Sequence, residues 1–402
     1  MQGAEQDLVK LGCSYAVAEQ LDEAAGCFQA VVAVSPENAY VRAALGRVLQ
    51  MQHKLDEAAA CYQRALELDP GNPWFHTYLG TLLLLRGHFD ECWRELEWFW
   101  QTSLPIAASL KLGKPRWDGS PLAGRTILLQ APLGGFGDNV MWARYASHVA
   151  ARGGTVIVQC PPELARLLQG LTGVRQVVAR GEPLPAFDVH APLMSLAHLL
   201  GMPHPNQAGV PYLPIDYVDS GRWAQGLAPR TGMRVGLAWA TDPTHPAARR
   251  RSIAMGCLAP LADIGGVTFF SLQKGLGAEQ LATLPPGLHV VDIGRQLMDF
   301  ADTAAVLNQL DLVITVDTVV AHLAGALGLP VWILLASRAD ARWLLDREDS
   351  PWYPSARLFR QAEAWDWISV IERVACELRQ AKPWPVTSRK VDETNTMMPP
   401  QS

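Results

Sequence analysis

Two loops hold the residues best suited to chemistry. The first reads Leu133-Gly134-Gly135-Phe136-Gly137-Asp138-Asn139, after an apolar run at Thr126–Gln130 and before a helical pattern. Its glycines let backbone amides approach a ligand, and Asp138 falls where a side chain either caps the helix or faces a cleft. The second runs from Asp317-Thr318-Val319-Val320-Ala321-His322 to Gly328, after Asp311–Val316. Asp317 or Thr318 would cap a helix whose free amides attract an anion, and His322 lies four residues beyond Thr318 on the same face. A diphosphate suits that tip; a capped core helix with a buried histidine accounts for the same residues. Two further strand ends carry cations. Trp239 leads through Thr241 and His245 to Arg249-Arg250-Arg251, and Val267–Gln273 ends in Lys274-Gly275. Singly these are solvated charges, but converging on one cleft they would neutralise a nucleotide diphosphate as it departs.

The elements that must position these loops are parallel α/β layers, because from Thr126 onward short apolar runs alternate with amphipathic patterns. The first block has strands expected at Thr126–Gln130, Thr155–Gln159 and Phe187–Ala191, with a helix over Asp138–Ala151. In the second they fall at Met233–Trp239, Val267–Gln273, Leu288–Asp292, Asp311–Val316 and Pro330–Leu335. Between the blocks, Pro203–Gly232 is rich in Pro and Gly and reads as a hinge. The expected divisions are a linker at 105–125, one Rossmann-like domain at 126–222 and another at 233–380. Two such domains face each other across a cleft outside the carboxyl ends of their strands.

Residues 1–104 have a different period. Leu11-Gly12, Tyr15, Ala24, Phe28 and Pro36 recur as Leu45-Gly46, Leu49, Ala58, Tyr62 and Pro70, then as Leu79-Gly80, Leu83, Cys92 and Leu96. That spacing of 34 residues is the tetratricopeptide pattern, helix pairs that stack because none can bury its apolar face alone. The third unit lacks its closing proline and runs into Trp93, Trp98, Phe99 and Trp100, which read as core capping the stack. Such arrays dock other polypeptides.

Composition excludes several classes. Of 402 residues 49% are hydrophobic and 18% charged, which is globular usage with room for two or three cores. The net charge of -5 is unevenly placed, with 7 Lys+Arg against 14 Asp+Glu before residue 105, and the only dense basic run is three arginines. A nucleic-acid partner is not expected. The seven cysteines include no C-x-x-C pair and read as buried thiols of a reducing compartment. MQGAEQDLVK is not a secretory signal and no run reaches the roughly 20 apolar residues of a membrane span, so a cytoplasmic location is expected. Residues 381–402 lack periodicity and read as a loose tail.

Together these residues resemble bacterial proteins that fuse tetratricopeptide repeats to a GT-B glycosyltransferase domain similar to glycosyltransferase family nine, the lipopolysaccharide heptosyltransferases. The resemblance covers about Trp117 to Leu378. Its most specific part is Asp317-Thr318 through His322-Leu323-Ala324 to Leu329-Pro330-Val331-Trp332, supported by Trp117-Asp118-Gly119, Gly137-Asp138, Arg250-Arg251-Ser252-Ile253, Ser271 to Gly275 and Asp349 to Pro354. It implies a catalytic aspartate at Asp138 and donor binding by Gly137, Arg251, Lys274, Asp317, Thr318, Val319 and His322. Val319 stands where the family usually has glycine. The implied enzyme is metal-independent and inverting, needs no cofactor, and moves a sugar from a nucleotide diphosphate sugar to an acceptor, expected to be a protein docked by the repeats. In that scheme 126–222 is the acceptor side and 233–380 the nucleotide-sugar side. The alternative is a non-catalytic tetratricopeptide scaffold with a degenerate transferase domain.

Overall fold

A computed structural model describes residues 2–105, 112–131, 135–215, 217–227 and 232–381 of the protein; the expected tail lies almost wholly outside them. Six helices form the N-terminal array: α1 (Gln2–Val17), α2 (Leu21–Val34), α3 (Ala39–Met51), α4 (Leu55–Leu68), α5 (Pro73–Leu85) and α6 (Phe89–Leu96). Asn38 and Asn72 start α3 and α5 by accepting from the amides of Val41 and Trp74. The repeated glycine sets the packing distance within each pair. A Cβ on Gly46 would sit 2.7 Å from the Tyr62 ring of the partner helix, so only glycine lets α3 and α4 close up.

The remainder is built on two wholly parallel sheets. The first orders β1 (Thr126–Gln130), β2 (Thr155–Cys160), β3 (Val174–Ala179) and β4 (Val189–Pro192) as β3-β2-β1-β4. The second joins β5 (Met233–Ala238), β6 (Val267–Ser271), β7 (Val290–Asp292), β8 (Leu312–Val316), β9 (Val331–Leu335) and β10 (Ala356–Arg360) in the order β10-β9-β8-β5-β6-β7. Strands β3 and β10 were not expected. The helix expected over Asp138–Ala151 is instead two, Phe136–Ala143 and Ala146–Ala150. The break falls at Arg144, whose buried guanidinium donates to the carbonyls of Met141, Pro205 and Trp352.

The layers are locked together by aromatic packing. Trp93 of α6 meets Trp142 and Trp352 edge to face, at ring separations of 5.3 and 6.2 Å, and its indole N–H donates to the Pro203 carbonyl. Trp98 stacks on His76 and Trp100 donates to Ser195, so the aromatic run caps the stack and docks it onto the sheets. Within the expected hinge, Tyr212 donates its hydroxyl to the Val140 carbonyl and its amide to that of Ala326, bridging the two halves. At the other edge of the cleft Arg166 clasps Asp219, Asp299 and Asp302. Part of the expected linker is built in as well: Trp117 is buried and its amide donates to the His190 carbonyl of β4.

Candidate active site

The chemistry-bearing residues gather where the strand ends of the two sheets face each other. Strand β5 sits between β6 and β8, so the chain leaves β5 and β8 at the point where strand order reverses, the usual place for a ligand crevice in open parallel sheets. The loop after β5 carries His245 and Arg249–Arg251, and the loop after β8 carries Asp317 and Thr318. Thr318 caps the Val319–Ala326 helix by accepting from the Val320 amide at 3.2 Å. From the other sheet, the Phe136–Ala143 helix brings Gly137 against the His322 ring, where a Cβ would lie 2.5 Å from Cδ2. Asp138 is therefore held at the cleft beside the Val319–Ala326 helix.

A chain of ion pairs then crosses the gap. Arg342 Nη1 is 2.7 Å from Asp138 Oδ1, and its Nε donates to Asp340 Oδ1 at 2.9 Å. Arg251 continues the chain, 3.4 Å from Asp340 Oδ2 and 3.3 Å from Asp317 Oδ2. Burial opposes ionisation of Asp340, but Arg342 and Arg251 outweigh it and hold its carboxyl below the usual range. Asp317 goes the other way: burial raises its pKa and Arg251 only partly offsets this. Burial would also discharge Arg342, yet the carboxylates of Asp138, Asp340 and Asp317 keep it firmly protonated.

His322 is 2% exposed, and burial, reinforced by Arg342, depresses its pKa well below the ordinary value. The neutral ring has Nδ1 2.9 Å from the Tyr353 hydroxyl and stacks on Trp343. His322 thus acts as a wall that positions Gly137 and Asp138. His245 is kept from protonating by burial and then by Arg251, and its Nδ1 accepts from the Ala247 amide.

Buried polar atoms without a hydrogen-bond partner gather here, the acceptor Asp317 Oδ2 among them. Arg250 Nε, Arg251 Nε and Arg338 Nη1 are buried N–H groups without a hydrogen-bond partner. Buried donors are rarely left unpaired, and three guanidiniums around one crevice fit an anionic group such as a phosphate. Among the described residues no group of three or more His, Cys, Asp or Glu could hold a metal ion.

Of the residues expected from sequence, the structure brings together Gly137, Asp138, Arg251, Asp317, Thr318, Val319 and His322. It does not bring Lys274 into this chain: the ammonium donates to the carbonyls of Leu297 and Met298. Arg249 lies over the Trp365 ring. Leu133 and Gly134 lie outside the described residues. Arg338, Asp340 and Arg342 were missed, although they follow a recognised strand, β9, as the other site loops follow theirs.

Helical repeats followed by two parallel sheets facing each other across a charged crevice define a tetratricopeptide protein with a GT-B-like transferase domain. Family models agree with both parts. Tetratricopeptide repeat models match residues 9–73 and 61–94, and the glycosyltransferase family 9 (heptosyltransferase) model matches residues 231–366. The matches thus place tetratricopeptide repeats at residues 9–94 and a region similar to glycosyltransferase family 9 at residues 231–366. It is 27% identical to Protein FlbA of Caulobacter vibrioides over 325 residues, 73% of this chain and 53% of FlbA, so it spans about half of that relative's length. Among solved structures it is similar to the ADP-heptose lps heptosyltransferase II of E. coli, with 15% identity, 63% of this chain and 98% of that one covered, and a TM-score of 0.47. The repeats are similar to the TPR2B domain of yeast Sti1, with 17% identity, 24% and 76% covered, and a TM-score of 0.23. Among the described residues no helix is long and apolar enough to cross a membrane.

Proposed function

We propose that the protein transfers a sugar from a nucleotide diphosphate sugar to a hydroxyl of a protein held by the repeats, without a metal and with inversion. The domains at 126–222 and 233–380 serve the acceptor and the donor respectively. The acceptor hydroxyl gives its proton to the Asp138 carboxylate while its oxygen bonds to the anomeric carbon. The bond from that carbon to the diphosphate oxygen breaks on the opposite face, and the electron pair leaves with the diphosphate. Arg251 and the amide tip at Thr318 receive the charge.

The observation that carries this reading is the ion-pair chain from Asp138 through Arg342, Asp340 and Arg251 to Asp317. It sets a carboxylate of one sheet across the crevice from the anion-seeking groups of the other. A transfer assay over a panel of nucleotide sugars tests it, with release of nucleoside diphosphate as the readout. Asp138→Asn should keep donor binding and lose turnover; an unchanged rate removes Asp138 from the mechanism.

A scaffold without activity is the rival. Val319, where the family usually has glycine, favours it. Nucleotide-sugar binding with no transfer to any acceptor and no hydrolysis would decide for it.

A further inference from the structure

The turn inside each repeat contains a residue with left-handed backbone: Glu19 (φ 62°), His53 (φ 60°) and Gly87 (φ 77°), one at each 34-residue step. A side chain with a Cβ adopts that conformation reluctantly. Glycine would suit the first turn better, yet it holds a glutamate, and that glutamate has a distant task. Its Oε1 lies 3.4 Å from Arg250 Nη1, and its Oε2 pairs with Arg338 Nη2. Both arginines stand on donor-side loops, after β5 and β9. The first repeat thus reaches over the mouth of the crevice and closes on its cations.

The charges there balance. Arg250, Arg251, Arg338 and Arg342 face Glu19, Asp138, Asp317 and Asp340, four guanidiniums against four carboxylates. An incoming diphosphate must therefore displace one carboxylate or sit beside it uncompensated. Asp317 is almost wholly buried, and Asp138 and Asp340 are tied into the Arg342 pairs. Among the described residues the Glu19 carboxylate is bound only by the side chains of Arg250 and Arg338, which belong to another layer. Its two arginines also retain the unpartnered Arg250 Nε and Arg338 Nη1, donors a carboxylate does not satisfy and a phosphate could.

On the diphosphate reading above, we propose that Glu19 is a latch: it occupies Arg250 and Arg338 in place of the donor's phosphate, and donor entry displaces it and frees the first-repeat turn. Donor loading and the state of the repeat array are then linked. A protein seated in the repeats that pulls the turn away strengthens donor binding, and the donor strengthens that protein's binding by the same factor.

The test is calorimetric titration of the full chain with inorganic pyrophosphate, at low and at moderate salt. Glu19→Gln, and Glu19→Gly, which suits the backbone of the turn and so guards against misfolding, should bind about three- to tenfold tighter than the parent. The gain should shrink as salt rises. Arg251→Ala should bind more weakly, and pyrophosphate should speed amide exchange across residues 15–21 of the parent. If Arg251→Ala weakens binding while both Glu19 variants bind as the parent does, or less tightly, the latch is refuted and the anion site stands. If no variant binds, or Arg251→Ala makes no difference, the diphosphate reading and the latch fall together.

Discussion

Gly137→Ala tests the contact on which the crevice is built. The new methyl carbon would lie 2.5 Å from His322 Cδ2 and 3.1 Å from Nε2. The ring cannot give way, since it is buried, stacked on Trp343 and bonded to the Tyr353 hydroxyl. Reaching an ordinary carbon contact requires the Phe136–Ala143 helix to retreat by about 1 Å. Overpacking of a locked core costs up to about 3 kcal/mol. Alanine in place of glycine in a helix returns at most about 1 kcal/mol. The net loss is about 2 kcal/mol, or a melting midpoint lower by about 4 to 8 °C if the α/β part unfolds as one unit. Asp138 is the next residue and moves with the helix, and a misplacement of about 1 Å costs turnover about a hundredfold. Differential scanning calorimetry reads the first effect and the transfer assay the second. A variant that melts within about 1 °C of the parent would show that the helices are not in rigid contact at this point.

Three other perturbations follow from the same geometry. Arg342→Ala leaves Asp138 and Asp340 without their shared partner, and breaking this partly buried pair should lower denaturant stability by about 2 kcal/mol; a loss under about 1 kcal/mol would mark the pair as merely superficial. Because the native pKa of His322 is depressed below the unfolded value of 6.5, the unfolded chain takes up a proton that the native ring refuses. Its share of stability is complete above pH 6.5 and falls on acidification, by up to about 1.4 kcal/mol per pH unit. His190 and His245 act with the same sign, so His322→Gln should lessen the slope of denaturation midpoint against pH between about 6.5 and 5 without abolishing it. Trp93→Ala removes the ring that joins α6 to Trp142 and Trp352, at a cost of about 3 kcal/mol, and should make the repeats separable from the α/β part by limited proteolysis. An unaltered digestion pattern would count against a rigid union.

The parts of this architecture that could be read from sequence are those whose signal is local. The 34-residue step locates α1 to α6 because a close helix pair needs glycine at one place and an aromatic or aliphatic residue on its partner. Central strands such as β1 and β8 are buried on both faces and appear as largely apolar runs. Strands β3 and β10 lie at the sheet edges, where Arg175, Gln176, Arg357 and Arg360 interrupt the run, and no apolar block marks them. Asp138, Arg251, Asp317 and His322 stand out because a strand end or a helix start precedes each of them.

Asp340 and Arg342 obey the same rule but look like surface charge, since the feature that distinguishes them is their ion pairing across the crevice, which no local pattern records. Lys274 shows the converse, a cation at a strand end whose ammonium is consumed by two carbonyls. Glu19 is the extreme case, for its partners stand 231 and 319 residues away. Its role arises only when the array is docked onto the sheets by Trp93 and its neighbours. The same docking that seats the repeats on the sheets also puts a repeat carboxylate among the crevice's cations. The first repeat and the crevice therefore share the Glu19 ion pairs, the contact on which the proposed latch turns.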